Sequence, residues 1–198
     1  YTEKYGVVHP TKAGLKIPEI FDAAINKEVK AVWIIGEDVV QTDPNSAHVA
    51  KAMNSLDLLV VQEIFMSETA KHADVILPGT TFLEKDGTFT NTERRVQRVN
   101  RAAKPLPGTK PDGVIVTEMM QKLGYNQPIY DADQVLAEIA DVVPFFKGIT
   151  RERLGKLGLQ WPVKEDGTDT QILHTETFKL GKGRLKNFDW KESSEIEA

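Results

Sequence analysis

Four residues that could bind a nucleotide stand at the ends of two apolar runs. Gly36 and Asp38 follow the run KAVWII, and Gln62 and Glu63 end the run LLVVQE. A glycine allows close approach of a backbone, and the Asp38 carboxylate could accept two N–H donors of a guanine edge or a ribose hydroxyl pair. A structural alternative stays open, namely a turn with acidic capping at Asp38 and an ordinary polar strand end at Gln62 and Glu63.

Lys85 and Asp112 stand on either side of a segment that is rich in threonine, asparagine and arginine. Asp112 lies just before the helical stretch VIVTEMMQKL and is expected to cap it. A carboxylate at a helix start is held by backbone N–H groups and keeps an oxygen free for a guanine or amine donor. Taken alone, Lys85 is one of many solvated lysines. The loop 36–43 contains a single glycine, so a G-x-G-x-x-G fingerprint is missing and NAD binding through it is disfavoured.

The elements that must position these residues indicate an α/β fold. Strands are predicted at 31–35, 58–62 and 74–77, and helices near 18–25, 46–53, 114–123 and 132–142. This alternation is typical of a doubly wound, mostly parallel sheet of the Rossmann-like type, whose apolar strands are covered on both faces. The carboxyl ends of parallel strands share one edge, so we expect the six residues named above to converge there.

Residues 86–103 interrupt this alternation and predict an irregular hairpin that projects from the sheet. The two ends of such a hairpin must return close together, which would bring Lys85 and Asp112 to the same edge. We expect the α/β domain to occupy residues 1–150. The glycine-punctuated remainder, residues 151–198, is predicted to be an irregular linker.

The composition argues against several classes of function. The 198 residues carry a net charge of −4, which does not suit a general nucleic-acid or anionic-membrane surface. No apolar run reaches the ~18 residues of a membrane span, and no signal peptide is visible. Cysteine is absent, and the four histidines show no ligand spacing, so no metal site is expected on the chain. The first residue is Tyr1 rather than Met, and we therefore expect a piece of a longer protein.

The stretch from 62 to 97 is the most informative part of the sequence. It joins the strand core ADVILP to the polar run GTFTNTERRVQ. This combination resembles the signature of the molybdopterin oxidoreductase family, and within that family it is most similar to the alpha subunits of formate dehydrogenases. The similarity extends from about Gly14 to Trp190. Near its end, QWP and the later F-x-x-G-K-G-R-L resemble the linker into that family's C-terminal β-barrel.

The resemblance implies a bis(molybdopterin guanine dinucleotide) cofactor with molybdenum or tungsten, one guanine dinucleotide arm of which the domain 1–150 would hold. The loop with Gly36 and Asp38 would hold the guanine nucleotide, and Gln62 and Glu63 would contact its ribose. Lys85, in the motif E-K-x-G, would approach the phosphate or pterin region as a point charge.

The resemblance also implies an activity for the parent protein, the oxidation of formate to carbon dioxide. Its catalytic residues and metal ligands would lie outside this chain, so the fragment alone is expected to be inactive. An iron–sulfur cluster of the parent would not be ligated here. The expected partners are the remaining domains of the same subunit and iron–sulfur electron-transfer subunits, in the cytoplasm. We expect no nucleic-acid partner and no direct membrane insertion.

Three alternatives remain open. The nearest is another molybdopterin oxidoreductase, such as a nitrate reductase. A second is a non-catalytic subunit like the large iron–sulfur subunit of respiratory complex I, against which the joint presence of Asp38, Lys85 and Asp112 argues. The third is a generic α/β binding module that is unrelated to pterins.

Overall fold

A three-stranded parallel sheet forms the N-terminal part of the chain. The computed structural model describes residues 1–164, 166–178 and 180–192. The strands β1 (Ala31–Ile35), β2 (Leu58–Glu63) and β3 (Val75–Pro78) lie in the order β1-β2-β3 and are all parallel. The register pairs Ile35 with Gln62 and Gln62 with Leu77, so the three carboxyl ends meet at one edge. The predicted α/β fold with a parallel sheet is confirmed.

In the described ranges the α-helices are α1 (Thr2–Tyr5), α2 (Ile17–Ile25), α3 (Val39–Thr42), α4 (Ser46–Ser55), α5 (Asp112–Lys122), α6 (Ala132–Val142) and α7 (Arg151–Leu154). The four predicted helices, α2, α4, α5 and α6, begin and end close to the expected positions, and the three short ones were not predicted. Local capping explains two of the starts, because Asn45 accepts a hydrogen bond from the His48 N–H and Asp131 accepts two from the first turn of α6. No helix in the described part of the chain is long and apolar enough to cross a membrane.

One face of the parallel sheet is covered by helices. Leu59 and Val61 of β2 pack with Phe21 of α2 and with Val49 and Met53 of α4, and all five are buried. Burial of these apolar side chains provides the main stabilisation of this half of the chain.

The opposite face of the same sheet is largely open. Successive side chains alternate between faces, so Leu58 lies on the other side from Leu59. On that side Ile35, Leu58 and Val75 are 48%, 41% and 42% exposed. The expectation that both faces are covered is therefore wrong for the described residues. One reason is that α6 packs against residues of the second sheet rather than against this one.

A second, antiparallel sheet contains the predicted hairpin. Its strands β4 (Gly87–Thr90), β5 (Arg95–Val99) and β6 (Leu159–Gln160) lie in the order β4-β5-β6. The hairpin thus stays outside the parallel sheet, as expected. It is supported within the chain, because β5 pairs with β4 on one side and with β6 on the other.

The second sheet has a small core of its own. Val96 of β5 is fully buried and packs with Leu136 of α6, with Ile149 and with Leu154 of α7. The packing of Leu136 in this second core explains why α6 lies against the second sheet and not against the parallel one. The second core joins residues from both sides of position 150, and the division of the chain into domains at that point stays a prediction.

The C-terminal segment is irregular, and Arg94 holds its beginning. The Arg94 guanidinium donates to the carbonyl oxygens of Trp161, Thr170 and Gln171, the last two at 3.0 Å, and lies 5.5 Å from the centre of the Trp161 ring. After β6 the described residues form turns and extended backbone without a further named helix or strand. Within the predicted linker, positions 165, 179 and 193–198 lie outside the described residues.

Candidate functional site

A cleft of about 500 Å³ opens at the carboxyl edge of the parallel sheet. Five of the six candidate residues from the sequence line it, and these are Gly36, Gln62, Glu63, Lys85 and Asp112. Topology explains the convergence, because Gly36 follows β1 and Gln62 and Glu63 end β2. Exposed aromatic side chains, among them Phe65 and Phe82, complete the wall. The binding role of the five residues stays a prediction.

Asp112 is the centre of the polar contacts in the cleft. Its Oδ1 accepts a hydrogen bond of 2.8 Å from Nε2 of Gln62, and its Oδ2 forms an ion pair with Nζ of Lys85. Asp112 reaches this edge because the preceding backbone runs beside the end of β3, where the Lys110 N–H donates to the Pro78 carbonyl at 3.1 Å. Asp112 is the first residue of α5, and it is thereby fixed against the end of β2. The expectation that Asp112 caps this helix is wrong, because the N-cap position is Pro111, which makes no side-chain capping hydrogen bond.

The Asp112 carboxyl is held in its charged form. Burial raises the pKa of this carboxyl. The hydrogen bonds from Lys85 and Gln62, together with the Lys85 charge, lower the pKa by more than burial raises it, so the pKa lies below the ordinary 3.8. The side chains of Lys85 and Asp112 remain 28% and 39% exposed. The two opposite charges therefore compensate each other, and both side chains remain accessible from the cleft.

Two buried polar atoms beside this pair have no partner in the described chain. They are Oε1 of Gln62 and Oγ1 of Thr80, and each residue is only 1% exposed. Both residues line the cleft. Buried polar groups are nearly always hydrogen-bonded, so these two atoms mark a place where a ligand could supply the missing partners. Sequence reasoning missed Thr80, although its position two residues after β3 places it at the same sheet edge.

Gly36 and Glu63 shape the backbone at the strand ends. Gly36 has a φ of +64°, which favours glycine, and its N–H donates to the Gln62 carbonyl at 2.9 Å. A Cβ added there would meet nothing within 4 Å, so conformation rather than a close neighbour within the chain explains the glycine. The Glu63 carboxylate accepts from the Ile64 N–H at 2.7 Å, and its carbonyl accepts from the Gly79 N–H at 3.0 Å.

Asp38 is the candidate that the structure does not bring into the cleft. Its Oδ1 accepts from the N–H and the hydroxyl of Thr69 at 2.8 and 2.6 Å, and its Oδ2 accepts from the Glu68 N–H at 3.2 Å. Burial raises the Asp38 pKa, but these bonds lower it below the ordinary 3.8. The carboxylate fixes the start of the 3-10 turn Thr69–His72. Its role in ligand binding stays a prediction.

Glu84 fastens the two ends of the hairpin segment beside Lys85. This buried carboxylate accepts from the N–H and the hydroxyl of Thr81 at 2.9 and 3.0 Å, and from the Leu106 N–H at 3.0 Å. The carbonyl of Leu83 also accepts from two N–H groups of the returning chain, those of residues 102 and 103. The ends of the segment therefore meet, as predicted, and Lys85 is positioned from both sides.

A smaller cavity of about 180 Å³ shares Lys85 and Asp112 with the cleft. Tyr130 lines it and packs on the first turn of α5, where a Cβ added at Gly113 would lie 2.2 Å from the ring. Burial raises the pKa of Tyr130 above 10.0, as does the nearby Asp112. In the described part of the chain, no group of three or more His, Cys, Asp or Glu side chains could hold a metal ion.

Comparison with known proteins gives a family and a set of relatives. The family model described as molybdopterin oxidoreductase matches residues 7–122. The chain is 43% identical over 189 residues to the protein named F420-dependent formate dehydrogenase subunit alpha of Methanocaldococcus jannaschii, covering 93% of this chain and 28% of that one. A Bacillus subtilis protein named as a probable oxidoreductase is 41% identical over 199 residues. The match covers 99% of this chain and 20% of the Bacillus protein.

A third relative and one solved structure agree with these matches. A Staphylococcus aureus protein, whose name assigns it provisionally as a formate dehydrogenase, is 41% identical over 189 residues. The match covers 95% of this chain and 19% of the Staphylococcus protein. The chain thus spans between 19% and 28% of the length of these relatives. The solved structure of acetylene hydratase from Pelobacter acetylenicus shares the fold, with a TM-score of 0.51 and 23% identity over 55% of this chain and 16% of that one.

Proposed function

Because this chain belongs to the molybdopterin oxidoreductase family, we propose that its cleft holds one guanine dinucleotide arm of a bis(molybdopterin guanine dinucleotide) cofactor. The family itself implies a molybdopterin cofactor, and the guanine dinucleotide form is our proposal. One observation carries it. An ionised Asp112, fixed by Gln62 and Lys85, lies in a cleft that also contains two buried polar atoms without partners.

The donors of a guanine match the acceptors of the cleft. Guanine presents N–H groups on one edge, and a carboxylate or an amide oxygen accepts such donors. Asp112 and Glu63 supply carboxylates, and Gln62 supplies an amide oxygen. The exposed ring of Phe65 offers a surface on which a base could stack. We keep Asp38 as a proposed contact, since its Oδ2 accepts a single hydrogen bond and could accept another.

For the parent protein we propose the catalytic subunit of a molybdenum- or tungsten-dependent formate dehydrogenase. Two of the three relatives described above carry names that give or propose this activity. The metal centre of the cofactor would supply the redox chemistry, with formate oxidised to carbon dioxide. This chain would supply binding and orientation of the nucleotide arm, while catalytic residues and any iron–sulfur ligands would come from elsewhere in the protein.

The location and partners belong to the same proposal. We propose a cytoplasmic enzyme that contacts iron–sulfur electron-transfer subunits and packs this chain against the remaining domains of its own subunit. Fractionation and co-purification of the full-length protein test both statements. Recovery with a membrane or periplasmic fraction, or purification without an iron–sulfur partner, would contradict them. An assay with formate and with nitrate separates formate dehydrogenase from its nearest alternative, nitrate reductase.

The proposed site is tested by measuring the guanine nucleotide that acid treatment releases from the purified full-length protein. Asp112→Asn replaces one acceptor oxygen by a donor, and Asp38→Ala removes a carboxylate outside the cleft. A hydrogen bond to a charged group contributes about 1.5–3 kcal/mol, so Asp112→Asn should weaken retention roughly ten- to hundredfold.

Asp141→Asn is the matched control, because Asp141 pairs with Lys4 in an exposed contact outside the cleft. This variant should retain the wild-type guanine content. Wild-type protein that releases no guanine nucleotide would contradict the proposal and would favour a cofactor-free subunit of the complex I type. Unchanged guanine content in both Asp112→Asn and Asp38→Ala would contradict the assignment of residues.

A further inference from the structure

Thr80 is a buried polar residue to which the described chain gives no side-chain partner. It follows β3 at the edge where the cleft opens, and it lines the cleft together with Gln62. Both residues are 1% exposed, and Oγ1 of Thr80 and Oε1 of Gln62 are buried without a hydrogen bond. A buried hydroxyl without a partner destabilises a fold, whereas a valine of the same shape would not. A ligand in the cleft would remove this penalty.

The orientation of the Gln62 amide is determined by Asp112. A carboxylate that is ionised can only accept hydrogen bonds, so the atom of Gln62 that faces Asp112 Oδ1 at 2.8 Å must be the Nε2 donor. The unpaired atom is therefore the oxygen, which can only accept. The group that binds to it has to bring an N–H or an O–H.

This requirement excludes the phosphates of a nucleotide from the position beside Gln62. Phosphate oxygens at neutral pH are acceptors and carry negative charge, and they cannot donate to the Gln62 oxygen. The charges of the cleft agree, because Glu63 and Asp112 are two carboxylates against the single ammonium of Lys85, which already pairs with Asp112. A neutral part of the nucleotide, the base edge or the ribose, suits the position.

We propose that Thr80 and the Gln62 amide oxygen together bind a hydrogen-bond donor on the neutral part of the nucleotide, and that Thr80 is a specificity-determining residue of the site. The inference rests on the proposed function, since it assumes that a guanine nucleotide enters the cleft. It changes the expectation for Lys85, which becomes the partner that holds Asp112 in place rather than a phosphate ligand.

The test uses full-length protein produced without cofactor, with guanosine monophosphate as the titrant in calorimetry. Thr80→Val keeps the shape of the side chain and removes the hydroxyl. The variant should weaken binding about five- to tenfold, the usual effect of one hydrogen bond, while the unliganded protein melts at the wild-type temperature or above it. Thr80→Ser, which keeps a hydroxyl, should restore most of the affinity.

Two altered ligands test the same inference on the wild-type protein and identify the donor. Inosine monophosphate lacks the 2-amino group, and 2′,3′-dideoxyguanosine monophosphate lacks the ribose hydroxyls. Weaker binding of the first assigns the base edge, and weaker binding of the second assigns the ribose. Binding of both as tightly as guanosine monophosphate assigns the N1–H of the base, which inosine keeps. Wild-type affinity in Thr80→Val overturns the inference. If the wild-type protein neither binds guanosine monophosphate nor releases guanine on acid treatment, the proposed function itself fails.

Discussion

Replacement of Gly113 by alanine should destabilise the chain, although the substitution lies in a helix. Gly113 is the second residue of α5, and alanine in a helix is usually more stable than glycine by about 0.5–1 kcal/mol. A Cβ at this position would lie 2.2, 2.5 and 2.5 Å from three carbons of the Tyr130 ring. Forcing a methyl group into such a contact costs about 1–3 kcal/mol. The difference between the two terms is a net loss of up to about 2.5 kcal/mol.

The Tyr130 ring cannot move away without consequences for the cleft. It lines the cavity that shares Lys85 and Asp112 with the cleft, and it is half-buried against the first turn of α5. Displacement of the ring would open the packing beside Asp112. Gly113→Ala should therefore also lower the guanine content of the full-length protein.

Urea unfolding followed by circular dichroism measures the effect, and Tyr130→Ala supplies the control background. Once the ring is absent, only the higher helix preference of alanine affects the stability at this position. Gly113→Ala should then stabilise the chain by about 0.5–1 kcal/mol. A change of sign between the two backgrounds identifies the contact as the cause. Stabilisation in the wild-type background, or an equal loss in both, would refute the reasoning.

Two further predictions concern the C-terminal segment and acid. Arg94→Ala removes three hydrogen bonds to the segment after β6 and should cost on the order of 1–3 kcal/mol in urea unfolding, whereas Ala at the exposed Arg98 should leave stability nearly unchanged. The carboxyl pKa values of Asp38 and Asp112 lie below 3.8 in the folded chain. Their stabilisation is complete above pH ~4 and is lost as the pH falls through the folded pKa values, so acid titration should show unfolding free energy decreasing below pH ~4.

The sequence predicted the parallel sheet well because its strands are short apolar runs with clear ends. It also predicted that Gly36, Gln62 and Glu63 lie at one edge of the sheet, since this follows from strand topology alone. Asp38 shows the limit of that argument. A carboxylate after a strand can turn to a ligand or to nearby N–H groups, and the N–H groups that bind it belong to residues 68 and 69, about thirty positions later. No local pattern indicates that contact.

Local patterns predicted the hairpin of the second sheet, but they predicted neither its third strand nor its core. β5 is the sequence RVQRV, whose charges suggest an exposed strand, yet Val96 is fully buried against Ile149 and Leu154. Those partners lie more than fifty residues away along the chain. The strand that completes the sheet, β6, has two residues and is too short for any periodic signal. Burial here is decided by tertiary contacts.

The cleft and the second sheet are physically connected, which gives the hairpin a role in the site. Phe89 of β4 lines the cleft, and its ring meets Phe82 edge-on at 6.1 Å between centres. Glu84 ties the chain before β4 to the chain after β5, on the residue next to Lys85. A nucleotide in the cleft would therefore contact side chains from both sheets at once. Because a ligand stabilises whatever state it binds, occupancy of the cleft and the packing of the second sheet should reinforce each other.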